Sequence, residues 1–301
     1  MATVTEFNNA ILREVADRYE QVLKARIVMT NQLNAIEKGE DKDYPDPVGI
    51  FQWARDTKEE LTAKYDAKLE ECRDAMVDQV AKHPTYSWLM GIPGINRTLS
   101  GRILGMIPMD TEEDFINFSK LRTYAGMAPG KDRHVPGKSS AFNSRLRTVL
   151  HILYETIQKC TARNRKSKTT PKPAAYYMDI YKKWNVHYKM LGAEKMANVE
   201  AGLWTAKKSK NRFGDIRYTE VKDENGEDVN PAWLTNIHCQ MGAKRKMLDV
   251  FMCHLWRVWR EGLGWSTREL YVHEKLGHQM NYDAKDFSSP EMALRKIKEH
   301  K

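Results

Sequence analysis

The chain has 301 residues, 41% of them hydrophobic and 30% charged, with a mean hydropathy of −0.67, a net charge of +9 and a pI of about 9.2. That is enough apolar material for one large or two to three modest domains, but no run reaches the ~18 apolar residues of a membrane span. Cys72, Cys160, Cys239 and Cys253 include no C-x-x-C pair and suggest no disulfide framework, and the opening MATVTEFNNAIL lacks a basic stretch followed by an apolar run, so a cytoplasmic location is expected.

Apolar residues from Phe7 to Ile36 recur at three- and four-residue steps, which predicts one amphipathic helix over 5–38. EKGEDKDYPDP (37–47) breaks it with Gly, two Pro and acids, and a second helix is expected over 48–82. At 1.5 Å per residue each is about 45–50 Å long. Two such helices joined by a short acidic loop predict an antiparallel helical hairpin, a coiled-coil arm over 1–84; two helices of a compact bundle are the other reading.

Residues 85–205 read as a run of helices with tight turns. GIPGI (91–95) is a Gly-Pro-Gly turn flanked by Ile92 and Ile95. Its glycines admit φ > 0 and its proline presets a turn dihedral. Exposed amides at the following helix N-terminus would suit a phosphate, in the manner of a helix-hairpin-helix; an ordinary helix–helix turn is the bland reading. DTEEDF (110–115) is expected to start a helix, with Asp110 or Thr111 as its cap. FSKLRTYAGMAPG (118–130) reads as a helix stopped by Gly126 and Pro129, and 139–160 as a strong amphipathic helix with Arg145 and Arg147 in its first turns. A basic, Pro-broken linker (161–173) precedes a helix over 174–205 with an aromatic group, Tyr176, Tyr177, Tyr181, Trp184 and Tyr188. Tyr176, Tyr177 and Trp184 suit core packing first and stacking on unpaired bases second.

In 206–301, FGDIRYTEVKDENGEDV (213–229) alternates and carries Asn-Gly, which predicts one small β-hairpin. A long helix follows over 232–262, then short helix and coil. The fold class is therefore mainly α: a helical-hairpin arm, an all-helical domain and one β-hairpin.

Charge is concentrated. Residues 1–84 carry 12 Lys/Arg and 17 Asp/Glu, net −5, whereas 120–190 carry 16 and 3, net +13. Such a segment points to a polyanionic partner, against the alternative of a solvated Lys-rich surface. The residues assigned to nucleic acid are Gly91, Gly94, Asn96 and Arg97 at the turn; Lys131, Arg133, Lys138, Ser139, Asn143, Arg145 and Arg147 in and after the loop PGKDRHVPGKSS (129–140); Arg163, Arg165, Lys166 and Lys168 in the linker; and Lys244, Arg245 and Lys246 on the long helix. His238-Cys239 and Cys253-His254 invite a zinc test, but one continuous helix would hold them roughly 20 Å apart, so no metal is expected. No carboxylate cluster of the two-metal kind is visible, and Ser139 or Ser140 lacks a fixed activating base. No catalytic residue and no cofactor is therefore assigned.

From Ile92 onward, over about 85–280, the chain resembles the C-terminal domain of the IS one-ten family of insertion-sequence transposases, the bridge-RNA-guided recombinases, and its latter half the divergent archaeal and phage branch. The stretches carrying this are IPGINRTLSGRIL, FSKLRTYAGMAPG, the Gly137-Lys138 loop, FNSRLRTVL and AKRKMLDVFMCHLWRVWRE with YVHEKLGH. The family's RuvC-like domain with its DEDD carboxylates has no counterpart here, and PGKSS stands nearest to its serine motif. A helical arm before an all-helical domain, with LGAEKM (191–196), also resembles the Nop domain of box C/D guide ribonucleoproteins and the Tas proteins of TIGR (tandem interspaced guide RNA) systems, here of the nuclease-less kind. The resemblance implies binding of a structured guide RNA, RNA-guided pairing with target DNA and a homodimer through the arm; recruitment of a separately encoded nuclease is left open, and the hydropathy leads to no membrane partner. Two other readings stand beside it: a recombinase component acting through Ser139 or Ser140 with a RuvC-like partner, and a sequence-tolerant DNA-binding protein.

Overall fold

The computed structural model describes residues 8–40, 49–128, 140–164, 172–210, 216–231, 235–267 and 283–298. The helical periodicity at the start of the chain yields α1 (Asn9–Glu40) and α2 (Ile50–Val80), 32 and 31 residues long. They run antiparallel, cross-linked by Arg26–Asp66 at 2.6 Å and Lys58–Glu37 at 2.8 Å. At the root, Leu12 and Ala16 of α1 and Met76 and Val80 of α2 join the main core. There α4 (Arg97–Gly105) wedges against both helices. Small residues permit that approach: a Cβ at Gly101 would lie 2.5 Å from Met76 Cγ, and one at Gly105 would overlap Ala16 Cβ. Arg102 Nε donates to Glu20 at 2.5 Å, a bridge between α4 and α1 with both side chains mostly covered. Toward the far end Leu33, Phe51 and Ala54 are buried, while Ile27, Val28, Ile50 and Trp53 are 42–54% exposed. That end is an arm.

The body comprises α3 (Tyr86–Met90), α4, α5 (Phe118–Tyr124), α6 (Ser144–Asn164), α7 (Lys172–Glu200), α8 (Asn236–Gly262), a 3-10 turn (Ala284–Phe287) and α9 (Pro290–Lys298). The centre of the core is α8, whose Phe251, Leu255, Trp256 and Trp259 are at most 1% exposed. Tyr177 of α7 packs among Phe251, His254 and Phe287, and its hydroxyl meets His254 Nδ1 at 3.0 Å. Residues on both sides of position 205 thus share one core. Among the described residues no helix is long and apolar enough to cross a membrane.

Two local expectations are corrected. Residues 110–115 form a turn, not a helix start, and α5 begins only at Phe118. The Asp114 carboxylate accepts from the amides of Asp110 and Thr111, the reverse of the expected cap. The fully buried Arg260 of α8 fixes this turn by donating to the carbonyls of Glu112 (2.9 Å) and Asp114 (3.3 Å). A guanidinium nearly 150 residues away therefore outweighs the local helix signal. The β-hairpin is real but shifted. β1 (Thr205–Lys210) pairs antiparallel with β2 (Ile216–Lys222). Asn225-Gly226 forms a second small turn, with Gly226 at φ 78° and a single bridge between Lys222 and Asp228.

Candidate nucleic-acid interface

The Gly-Pro-Gly turn does not present the surface expected of it. Gly91, Ile92, Pro93 and Ile95 are buried. The segment 284–298 covers them: Ser289 N donates to Gly91 O at 2.9 Å, and Lys296 Nζ donates to the carbonyls of Ile92 (3.0 Å) and Ile95 (2.9 Å). Burial lowers the Lys296 ammonium to about 8. Gly94 has φ 88°, and a Cβ there would lie 3.1 Å from the carbonyl carbon and oxygen of Thr156 in α6. Its glycine thus serves a left-handed dihedral and a close backbone approach at once. Asn96 is engaged as the N-cap of α4, its Oδ1 accepting from Leu99 N at 2.8 Å, and Arg97 reaches back to Ile297 O at 3.4 Å. The expectation of an exposed turn is therefore corrected: its glycines permit packing against α6 and the C-terminal segment.

The start of α6 does form an open site. Asn143 caps it, with Oδ1 accepting from Leu146 N at 3.0 Å and Nδ2 donating to the Tyr124 hydroxyl at 2.8 Å. A cleft of about 370 Å³ opens beside this N-terminus, lined by Arg13, Asp17, Tyr124, Asn143, Ser144 and Arg145 among others. Its arginines are paired, Arg145 with Asp17 at 2.9 Å and Arg13 with Asp110 at 2.5 Å. The Arg147 guanidinium lies 5.0 Å from the Phe142 ring centroid.

One turn further along α6, charge accumulates. The charges of Lys244 and Arg245 of α8 and of Arg147 on its own helix act on His151. Burial first, then the fields of Lys244 and Arg147, push its imidazole down to about 4, with Glu155 acting the other way and Arg245 adding to the depression. Lys244 is itself held down by burial, its ammonium 4.5 Å from the Tyr154 ring centroid. Lys246 lies 4.7 Å from the Trp184 ring centroid. Behind them Arg122 of α5 pairs with Asp249 at 2.8 Å, and burial raises that carboxylate despite the pairing.

The fold thus brings together Arg147, Lys244 and Arg245, which lie about 100 residues apart in the chain, while Asn143 and Arg145 line the neighbouring cleft. The turn is not part of this group: Gly94 meets α6 at Thr156, roughly 13 Å along the helix from Arg147. Lys131, Arg133, Lys138, Ser139, Arg165, Lys166 and Lys168 lie outside the described residues, as does the side chain of Arg163. Sequence reasoning missed Arg13 and His151. The i, i+4 spacing of Arg147 and His151 on α6 places them on one face, a signal that could have found the histidine.

The remaining candidates are occupied structurally. Cys239 Sγ donates to Tyr188 O at 3.4 Å and His254 meets Tyr177, about four turns apart on the continuous α8. Among the described residues no group of three or more His, Cys, Asp or Glu is placed to hold a metal ion. The Ser140 hydroxyl donates to Phe142 O at 3.0 Å. Tyr177 is fully buried, whereas Tyr176 is 39% exposed and packs on Phe287. Compared with protein-family models, curated proteins and solved structures, the chain matches none of them.

Proposed function

We propose that this chain is a guide-RNA-binding protein that positions a structured RNA on target DNA, acting in the cytoplasm as a homodimer and without nuclease chemistry of its own. The observation that carries the reading is the seam of α6 and α8, where Lys244 lies 4.5 Å from the Tyr154 ring centroid and the charges of Lys244, Arg147 and Arg245 all act on His151. Arg147 and Arg245 add fixed positive charge to a partly buried face, and a chain of phosphates is the polyanion such a face suits. The phosphate backbone supplies most sequence-independent affinity, and the dipole of α6 adds a favourable end for an anion. In the sequence, 129–139 and 165–171 on either side of α6 are rich in Lys and Arg. The aromatic faces of Tyr154 and Trp184 are engaged by Lys244 and Lys246, so this face suits backbone contact more than base stacking. The exposed Ile27, Val28, Ile50 and Trp53 give the arm an apolar surface for a second copy.

The test is to purify the protein from its host and sequence the RNA that accompanies it. A discrete, recurring species that is lost from an Arg147→Gln/Arg245→Gln variant of unchanged helicity is the expected result. RNA recovered only in proportion to cellular abundance, or the same species retained by the variant, would overturn the reading.

A further inference from the structure

The β1–β2 hairpin has no role in the reading above, and its construction is unusual. Its two strands carry five basic residues, Lys207, Lys208, Lys210, Arg217 and Lys222, and one acid, Glu220, which Lys207 pairs at 2.7 Å, while Lys208 lies 5.5 Å from the Tyr218 ring centroid. Thr205, Lys207, Lys208, Ser209, Lys210, Thr219 and Lys222 are exposed, and Val221 alone of the described strand residues is buried. The ribbon is rooted rather than packed. The Tyr218 hydroxyl reaches Met196 Sδ of α7 at 3.3 Å, Lys195 of α7 lies 5.8 Å from the Trp204 ring centroid, and Trp204 Nε1 donates to Glu224 at 2.5 Å. A register shift between Lys207 and Lys208 makes Thr219 the extra residue of a bulge, its hydroxyl donating to Lys207 O at 3.4 Å. Such a bulge increases the twist of a ribbon.

A bare two-stranded ribbon is marginal in water, and lysines along its strands discourage pairing with other strands. That accounts for one or two lysines, not for a ribbon with five bases against one acid. We infer that this hairpin is a second nucleic-acid contact and that its ligand is duplex DNA. Two strands about 4.8 Å apart, with their side chains, match the ~12 Å major groove of B-form DNA, which admits a two-stranded β-ribbon. The deep, narrow major groove of an A-form RNA helix does not admit it. The strand lysines then lie along the phosphates that border the groove. The strand lysines are not among the residues the RNA-binding reading uses, so this inference does not depend on it.

The experiment measures the full chain by fluorescence anisotropy on a random-sequence duplex DNA and on a hairpin RNA of equal length, between about 50 and 200 mM salt. The variant is Lys207→Gln/Lys208→Gln/Lys210→Gln/Lys222→Gln, all exposed positions, with its Tm compared to the parent; a Lys→Arg quadruple variant keeps the charge. Each lost duplex phosphate contact removes about 0.9 from the slope of log K against log salt. The expected result is a duplex slope shallower by about 2–4, and a duplex affinity at least about tenfold lower, with hairpin-RNA affinity within about twofold of the parent and duplex binding retained by the Arg variant. An unchanged duplex slope, or equal losses on duplex and RNA, would overturn the inference. If the chain binds duplex but no RNA, the proposed function fails while the hairpin's role is still read from the duplex slope.

Discussion

Gly91→Ala isolates what the Gly-Pro-Gly turn does. Gly91 is the C-cap of α3 with φ −71° and ψ −8°, a conformation any residue adopts, so the substitution strains no dihedral and acts through space alone. An added methyl would overlap Ser288 Oγ and lie 2.7 Å from Ser289 O and 2.9 Å from Ser289 N. The serine hydroxyl cannot simply swing aside, because it donates to Trp88 O at 2.7 Å. The backbone of 288–289 must move. Overpacking of this kind costs about 1–3 kcal/mol, and displacement also breaks Ser289 N–Gly91 O, worth about 1 kcal/mol.

The strain falls on the seam between the turn and 284–298, not on the middle of the core, so local release of α9 is the cheapest response. A loosening of about 2–4 kcal/mol corresponds to about 30- to 700-fold faster opening at equilibrium. Amide hydrogen exchange reads this directly. Amides of 289–297 should exchange faster by that factor, while those of Phe251–Trp259 in α8 keep the parent's protection. Unchanged exchange in α9 would refute the packing role of the turn. Equal acceleration in α8 would refute the claim that the C-terminal segment docks as a separable unit.

Three further outcomes are expected. Gly94→Ala combines a left-handed dihedral with a 3.1 Å approach to the Thr156 backbone; at about 1–2 kcal/mol for the dihedral alone and about 2–4 °C per kcal/mol, calorimetry should show Tm falling by at least about 2–8 °C. His151 has a native pKa of about 4 against about 6.5 unfolded, so the native state binds fewer protons between these values and stability falls as pH drops from 6.5 to 4; His151→Gln should flatten urea stability across that window, and a parent whose stability is constant there would contradict the assignment. Ile27→Glu/Trp53→Glu on the arm should leave Tm within about 1 °C, as exposed substitutions do, yet convert a dimer to a monomer in sedimentation equilibrium; persistence of the dimer would remove the arm as its interface.

How much of this was legible in the chain depended on distance. The arm helices and α8 were legible because their apolar residues repeat at helical steps over 27 or more residues. Asn143 was legible only as a polar residue in a basic context; that it caps α6 and clips onto Tyr124 follows from contacts that bring α5 against α6. The fate of Gly91–Ile95 was not legible at all. Its covering residues lie about 200 positions later, as Lys296 to Ile92 and Ser288 to Trp88 show, and no local pattern records such pairings. β1 escaped for a different reason: TAKKSK has one apolar residue and no alternation, so only pairing with β2 makes it a strand.

The relocation of the candidate site from the turn to the α6–α8 face also changes what an anion would do. At an exposed turn, binding would add contacts to a surface that was otherwise at ease. At His151 burial first, and then the fields of Lys244 and Arg147 with a smaller one from Arg245, already lower the proton affinity of the imidazole. A bound phosphate chain offsets those fields, so the proton affinity of His151 rises, and by linkage affinity for the anion rises as pH falls from the bound-state midpoint toward the free midpoint of about 4. The reciprocity makes the site identifiable without knowing the ligand. The NMR midpoint of His151, followed with and without a hairpin RNA, should move upward from about 4; a midpoint that stays in place at saturating RNA would mean that the RNA binds elsewhere on the molecule.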